Sequence, residues 1–132
     1  AASRIISHPS TITGSIGVIF GKFNVAGLYD WLGISVDRVK TSPNADLFSF
    51  STSLTPQQRE RIVAWMQGIY DGFVSKAAQG RAMDFVQLEE KARGRIYTGK
   101  EALNIGLVDD IGGFPKALEH VRAAPFEHGD KS

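Results

Sequence analysis

The stretch from Lys91 to Gly113, K-A-R-G-R-I-Y-T-G-K-E-A-L-N-I-G-L-V-D-D-I-G-G, constrains this chain more than any other. Gly94 suits the left-handed position that closes a helix, which side chains disfavour. Thr98 with Glu101 three residues on is a capping box, in which each side chain satisfies an orphan amide of the first turn. Gly106 then ends a helix of barely two turns, and Leu107-Val108 follows as a short apolar run. Two helix stops and one helix start inside 23 residues demand a compact connection of short elements.

At 132 residues the chain has the length of one domain, enough for a real core. Its 42% hydrophobic and 22% charged residues are ordinary for a globular protein. A net charge of +1, with no Lys/Arg block longer than two, argues for neither a nucleic-acid groove nor an anionic membrane surface. No cysteine is present, so there is no disulfide framework, thiolate nucleophile or Cys-based metal site. No apolar run approaches the roughly 18–20 residues that span a bilayer. Any membrane anchor is therefore expected outside this chain.

Taken in order, Ile5-Ile6 reads as a short buried strand, and Pro9 biases His8 away from helix. Residues 11–20, T-I-T-G-S-I-G-V-I-F, are β-branched and punctuated by glycine, as in a strand that another backbone or a ligand approaches closely. Asn24 caps a helix with Val25, Leu28, Tyr29 and Leu32 on one face, stopped by Gly33. Residues 34–39 alternate with period two, predicting a half-buried strand. Residues 41–53 form a polar loop of a length that is often functional. Thr55-Pro56-Gln57-Gln58 opens a helix to about Gly80, whose stripe of Ile62, Trp65, Met66, Ile69, Tyr70, Phe73, Val74 and Ala77 suits a core or a subunit interface. Asp84 with Gln87 starts a short helix, Pro115 sits early in a last one, and residues 125–132 are a polar tail. The β-α-β spacing of residues 11–39 predicts an α/β fold with early parallel strands in a parallel sheet, followed mostly by helices.

Chemistry is sparse. Gly14-Ser15-Ile16-Gly17 lacks the further glycine and the Lys-Ser/Thr of a phosphate-binding loop. His8, His120 and His128 form no i,i+4 pair, so neither a metal site nor a Ser-His-Asp triad is expected. Asp109-Asp110 is read as an ordinary polar turn. A serine–lysine mechanism needs a lysine desolvated enough to be neutral, and Lys22 and Lys40 lie closest to the strand-rich part.

Four ordered blocks carry a resemblance: R-I-I-S-H-P-S-T-I-T-G-S-I-G-V-I, G-I-S-V-D-R-V-K-T-S-P-N-A-D, L-T-P-Q-Q-R and G-R-I-Y-T-G-K-E-A. Together they resemble the signal peptide peptidase A (protease IV) family of membrane-associated serine peptidases. The resemblance implies a crotonase/Clp-protease-like α/β fold, here as a partial domain. Residues 1–124 would be the C-terminal portion of a peptidase domain. It implies a Ser-Lys dyad endopeptidase degrading signal peptides and other apolar peptides, with no cofactor and no metal. A membrane-associated domain facing the periplasm or cell exterior of a bacterium also follows, as does homo-oligomerisation through helices and the N-terminal part of the domain. The alternative is a non-catalytic assembly module of the same fold.

Two departures stand out. The family nucleophile lies in an A-A-S-G-G-Y-Y type motif, whereas Ser3 is followed by Arg4-Ile5-Ile6. Ser3 then takes the place of the acidic residue before R-I-I; if a deletion joins A-A-S directly to R-I-I, it is the nucleophile. Ala45 stands where short-form members carry the base lysine, and S-P-N-A-D is similar to the C-terminal half of the long, duplicated form. No catalytic residue is therefore matched, and the isolated chain is expected to be inactive and poorly stable or self-associating. Thr13, Gly14, Ser15, Ile16 and Gly17 are expected to line the substrate groove. Their glycines leave backbone groups open to strand addition, and Ile16 would wall a pocket. The alternative is that both glycines serve only tight packing.

Overall fold

A computed structural model describes residue 2 and residues 4–123. The chain divides into two compact units, one of residues 1–17 and 73–132, the other of residues 18–72. Helices occur in both and the very short strands only in the first, so the α/β character holds, with corrections to the sheet.

In the first unit, β1 (Ile6–Ser7) pairs in parallel with β4 (Asp110–Ile111), and β2 (Ile12–Gly14) pairs antiparallel with β3 (Ile96–Thr98). The one parallel pairing among the described residues thus joins an early strand to a late one. Around the strands lie α3 (Phe85–Lys91), α4 (Gly99–Asn104) and α5 (Phe114–Ala123). Both short helices start on capping boxes, as the sequence predicts. Asp84 accepts from the Gln87 amide at 2.7 Å, and Thr98 from the Glu101 amide at 3.2 Å. Ile16, Val74, Ala78, Leu88, Ala92, Ala102, Leu107 and Val108 are the buried apolar residues of this unit.

The second unit holds α1 (Ala26–Leu32) and the first part of α2 (Pro56–Gly80). Val25, not the expected Asn24, is the N-cap of α1 and makes no side-chain capping bond. Asn24, one residue earlier, accepts the Ala26 amide at 3.0 Å, and Gly33 closes the helix in the left-handed region. Thr55 and Gln58 exchange bonds of 3.2 and 3.0 Å at the head of α2. Gln58 also donates to Asp46 Oδ1 at 2.9 Å, tying the 41–53 loop to the helix.

Residues 34–39 form no strand, and Ile34, Val36 and Val39 are exposed. Alternation specifies a face, but a strand also needs a neighbour's amides and carbonyls. Nothing in residues 18–72 supplies them, so the expected β-α-β unit is absent. The strand expected over residues 11–20 narrows to β2, because Gly14 and Ser15 adopt φ of 86° and 52° and turn the chain. The α2 stripe is only partly core: Ile62 and Val74 are buried, whereas Trp65, Ile69 and Phe73 are exposed.

Candidate functional site

The stretch singled out from the sequence, residues 13–17, runs along the segment 94–97. Thr13 faces Tyr97 and Gly14 faces Ile96 in the β2–β3 ladder. Beyond it the Ser15 amide donates to Arg95 O at 2.8 Å, and the Gly94 amide to Ile16 O at 2.9 Å. An antiparallel ladder uses alternate residues. The Ser15–Arg95 bond therefore puts Thr13 in the inward set and turns the backbone groups of Ile12 and Gly14 away from β3.

Glycine is required here by space as well as by conformation. A Cβ on Gly14 would lie 2.8 Å from Arg95 O and 2.9 Å from the Tyr97 ring, and one on Gly17 would lie 3.2 Å from Gly94 Cα. The Tyr97 ring is held in place by its hydroxyl, which donates to Lys91 O at 2.9 Å. Beside the ladder lies an open groove of about 260 Å³ lined by Ile12, Ile96, Tyr97, Thr98 and Glu101. Its apolar surface comes from Ile12 and Ile96, both well exposed. The Thr98 amide and hydroxyl bind Glu101 Oε2 at 2.7 and 2.8 Å and hold its pKa below the ordinary value. The groove wall therefore carries a negative charge at neutral pH.

Each candidate residue has a definite place. Thr13 is half-buried and donates its hydroxyl to Thr11 O at 3.1 Å; Ser15 is exposed. Ile16 is buried, so it presents no apolar wall to a ligand. Ile12 and Ile96 are the exposed apolar residues of the groove, and sequence reasoning missed both. The signal for Ile96 was present in I-Y-T, three residues of high β propensity between a helix stop and a cap. Ser3 and His128 lie outside the described residues.

The lysines weighed as bases have hydrogen-bond partners. Lys22 lies 3.5 Å from the Thr52 hydroxyl, and Lys40 donates to Asp46 Oδ2 at 2.8 Å. Lys40, with help from Gln58, holds the Asp46 carboxyl below its ordinary pKa. The two carboxylates 109 and 110 are also engaged. The Arg81 guanidinium binds Asp109 with both nitrogens, at 2.9 and 2.6 Å, and the Ile5 amide adds a third bond at 2.7 Å. Arg81 first and then that amide pull the Asp109 pKa to about 2. Lys116 at 2.7 Å and the Ile111 amide do the same for Asp110, with His120 Nε2 at 3.4 Å. Both acids thus act as ion-pair anchors in the fold. Among the described residues, no three His, Cys, Asp or Glu side chains gather where they could hold a metal ion.

The chain is thus of α/β class, with a β2–β3 ladder that borders an apolar groove and turns backbone groups of Ile12 and Gly14 outward. The family model described as "Peptidase family S49" matches residues 1–124. The chain belongs to this peptidase family. It is 40% identical over 109 residues to a candidate protease of Synechocystis sp., covering 83% of this chain and 39% of that protein. It is 36% identical over 119 residues to a chloroplastic serine protease SPPA of Arabidopsis thaliana, covering 89% of this chain and 18% of that protein. Protease 4 of Salmonella typhi is 36% identical over 118 residues, with 89% and 19% covered. The chain thus spans between about a fifth and two fifths of the length of these relatives.

Proposed function

We propose that this chain is the C-terminal portion, residues 1–124, of a peptidase domain with the crotonase/Clp-protease-like fold. The parent protein is a serine endopeptidase of the Ser-Lys dyad type that degrades signal peptides and other apolar peptides. The observation that carries this is the family match over residues 1–124, together with relatives named as serine protease and protease 4. The nucleophile and base come from parts of the parent other than those matched here, since Ala45 stands at the base position and Lys40 is ion-paired. Homo-oligomerisation, membrane association through other parts, and a periplasmic or external location belong to the same reading.

In this reading Thr13, Gly14, Ser15 and Gly17 border the peptide groove. The outward-turned backbone groups of Ile12 and Gly14 pair with an extended substrate, and Ile12 and Ile96 contact its apolar side chains. The full-length protein is expected to be labelled by a fluorophosphonate at one serine and to cleave an apolar peptide. Gly14→Val, with its side chain against Arg95 O and Tyr97, is expected to lower kcat/KM for that peptide. Absence of labelling and cleavage in correctly assembled full-length protein would remove the peptidase reading. The alternative, a non-catalytic assembly module, draws on the exposed Trp65, Ile69 and Phe73 of α2. An assembled but unlabelled protein would favour it.

A further inference from the structure

One cluster of the first unit lies outside the groove yet controls the strand that leads to it. Arg81, immediately after α2, is mostly buried, and each of its three guanidinium nitrogens makes a hydrogen bond. Nη1 and Nη2 grip the two Asp109 oxygens, and Nε donates to Gly106 O at 2.8 Å. Such a planar fork fixes a carboxylate in orientation as well as in distance. Asp109 in turn takes both backbone groups of Ile5. Its carboxylate accepts the Ile5 amide, and its own amide donates to Ile5 O at 2.8 Å. The Gly112 amide adds a bond to Ser7 O at 2.9 Å. β1 is thus pinned at its entry by a residue whose own orientation is set by Arg81.

Little slack separates that pin from the groove. Only His8–Thr11 connect β1 to β2, and the Thr11 amide folds back on His8 O at 3.1 Å. The Lys100 amide reaches Pro9 O at 3.3 Å. Gly99 packs so closely against His8 O that no Cβ fits there. A shift of Ile5 therefore passes through a braced turn to Ile12, the first groove residue.

We propose that Arg81 and Asp109 are a positioning pair for the β2–β3 groove: they hold β1 on β4 and so set where β2 presents its outward backbone groups to substrate. The proposal rests on the peptidase reading above for its kinetic consequence and on the bonding alone for its structural one.

The test uses the full-length protein with Arg81→Lys, which keeps the charge and loses the fork, and Arg81→Gln, which loses both. For an apolar peptide, Arg81→Gln is expected to raise KM about tenfold with kcat changed less than about twofold, and Arg81→Lys to fall between it and wild type. Amide exchange within residues 12–15, at the ladder-bonded Thr13 and Ser15 amides, should accelerate in the same order. Wild-type KM and exchange in both variants would overturn the proposal. So would a lowered melting temperature with exchange at residues 12–15 unchanged, since the pair would then only stabilise. If the wild-type protein cleaves no peptide, the peptidase reading fails while the exchange of residues 12–15 still decides the clamp.

Discussion

Residues 73–123 and residues 18–72 draw on similar side chains and hold them differently. In the first set Val74, Leu88, Ala92 and Ala102 have no exposed surface at all. In the second, Phe23, Trp31, Phe48, Phe50 and Trp65 are all more than half exposed. The polar bookkeeping differs less: a capping bond opens α2 as it opens α3 and α4, and Asn24 accepts the first amide of α1. Helix punctuation is therefore present in both regions, whereas buried apolar residues are concentrated in the first and Ile62 is the one described in the second. Caps need partners three residues away, whereas burial needs a facing layer.

Four measurements can break or sharpen that contrast. Leu88→Ala should be the most damaging, costing about 2–5 kcal/mol as a fully buried side chain leaves a cavity. Hydrogen exchange would show it as lost protection across α3 and β3; unchanged protection would mean the first unit has no tight core. Acid comes next. Asp109 and Asp110 have folded pKa values of about 2, below the roughly 3.9 of a free aspartate, so their contribution is complete above about pH 5. It is lost as pH falls through 4 towards 2, and the melting temperature should fall over that window more in wild type than in Asp109→Asn. Thr98→Ala removes the α4 cap and should cost about 1 kcal/mol, read as faster exchange at the Glu101 amide. Smallest of all, Trp31→Ser should change stability by no more than about 0.5 kcal/mol, because Trp31 is 79% exposed. A large loss on Trp31→Ser in the assembled protein would show that this surface is covered there.

What was legible in the chain follows the same division. Thr98–Glu101, Asp84–Gln87, Thr55–Gln58 and the Gly33 stop could all be read because each motif is complete within a few residues. Pairings across the chain could not. β1 meets β4 over a separation of 104 residues, and two- and three-residue strands carry too little periodicity to announce a partner. Residues 34–39 show the converse error, a clear alternation with nothing beside it to complete a ladder. In the candidate site, the glycines pointed to a close backbone approach, and 94–97 is the segment that makes it. Ile16 was expected to wall a pocket from its place between the two glycines, whereas the chain turns at Gly14 and Ser15 and Ile16 is buried. Arg81 and Asp109, 28 residues apart, left no local pattern to find.

The junction between β3 and α4 has a consequence for how such a chain tolerates changes of length. Thr98 ends the strand and caps the helix, and Gly99 is already helical, so no loop residue lies between them. A single inserted residue there would flip the strand's faces relative to the helix, sending Ile96 inward and Tyr97 out. The same insertion in the exposed 34–39 segment would disturb no ladder. The 98–99 step must therefore be kept in register whatever residues occupy it, a constraint that the 34–39 segment does not share.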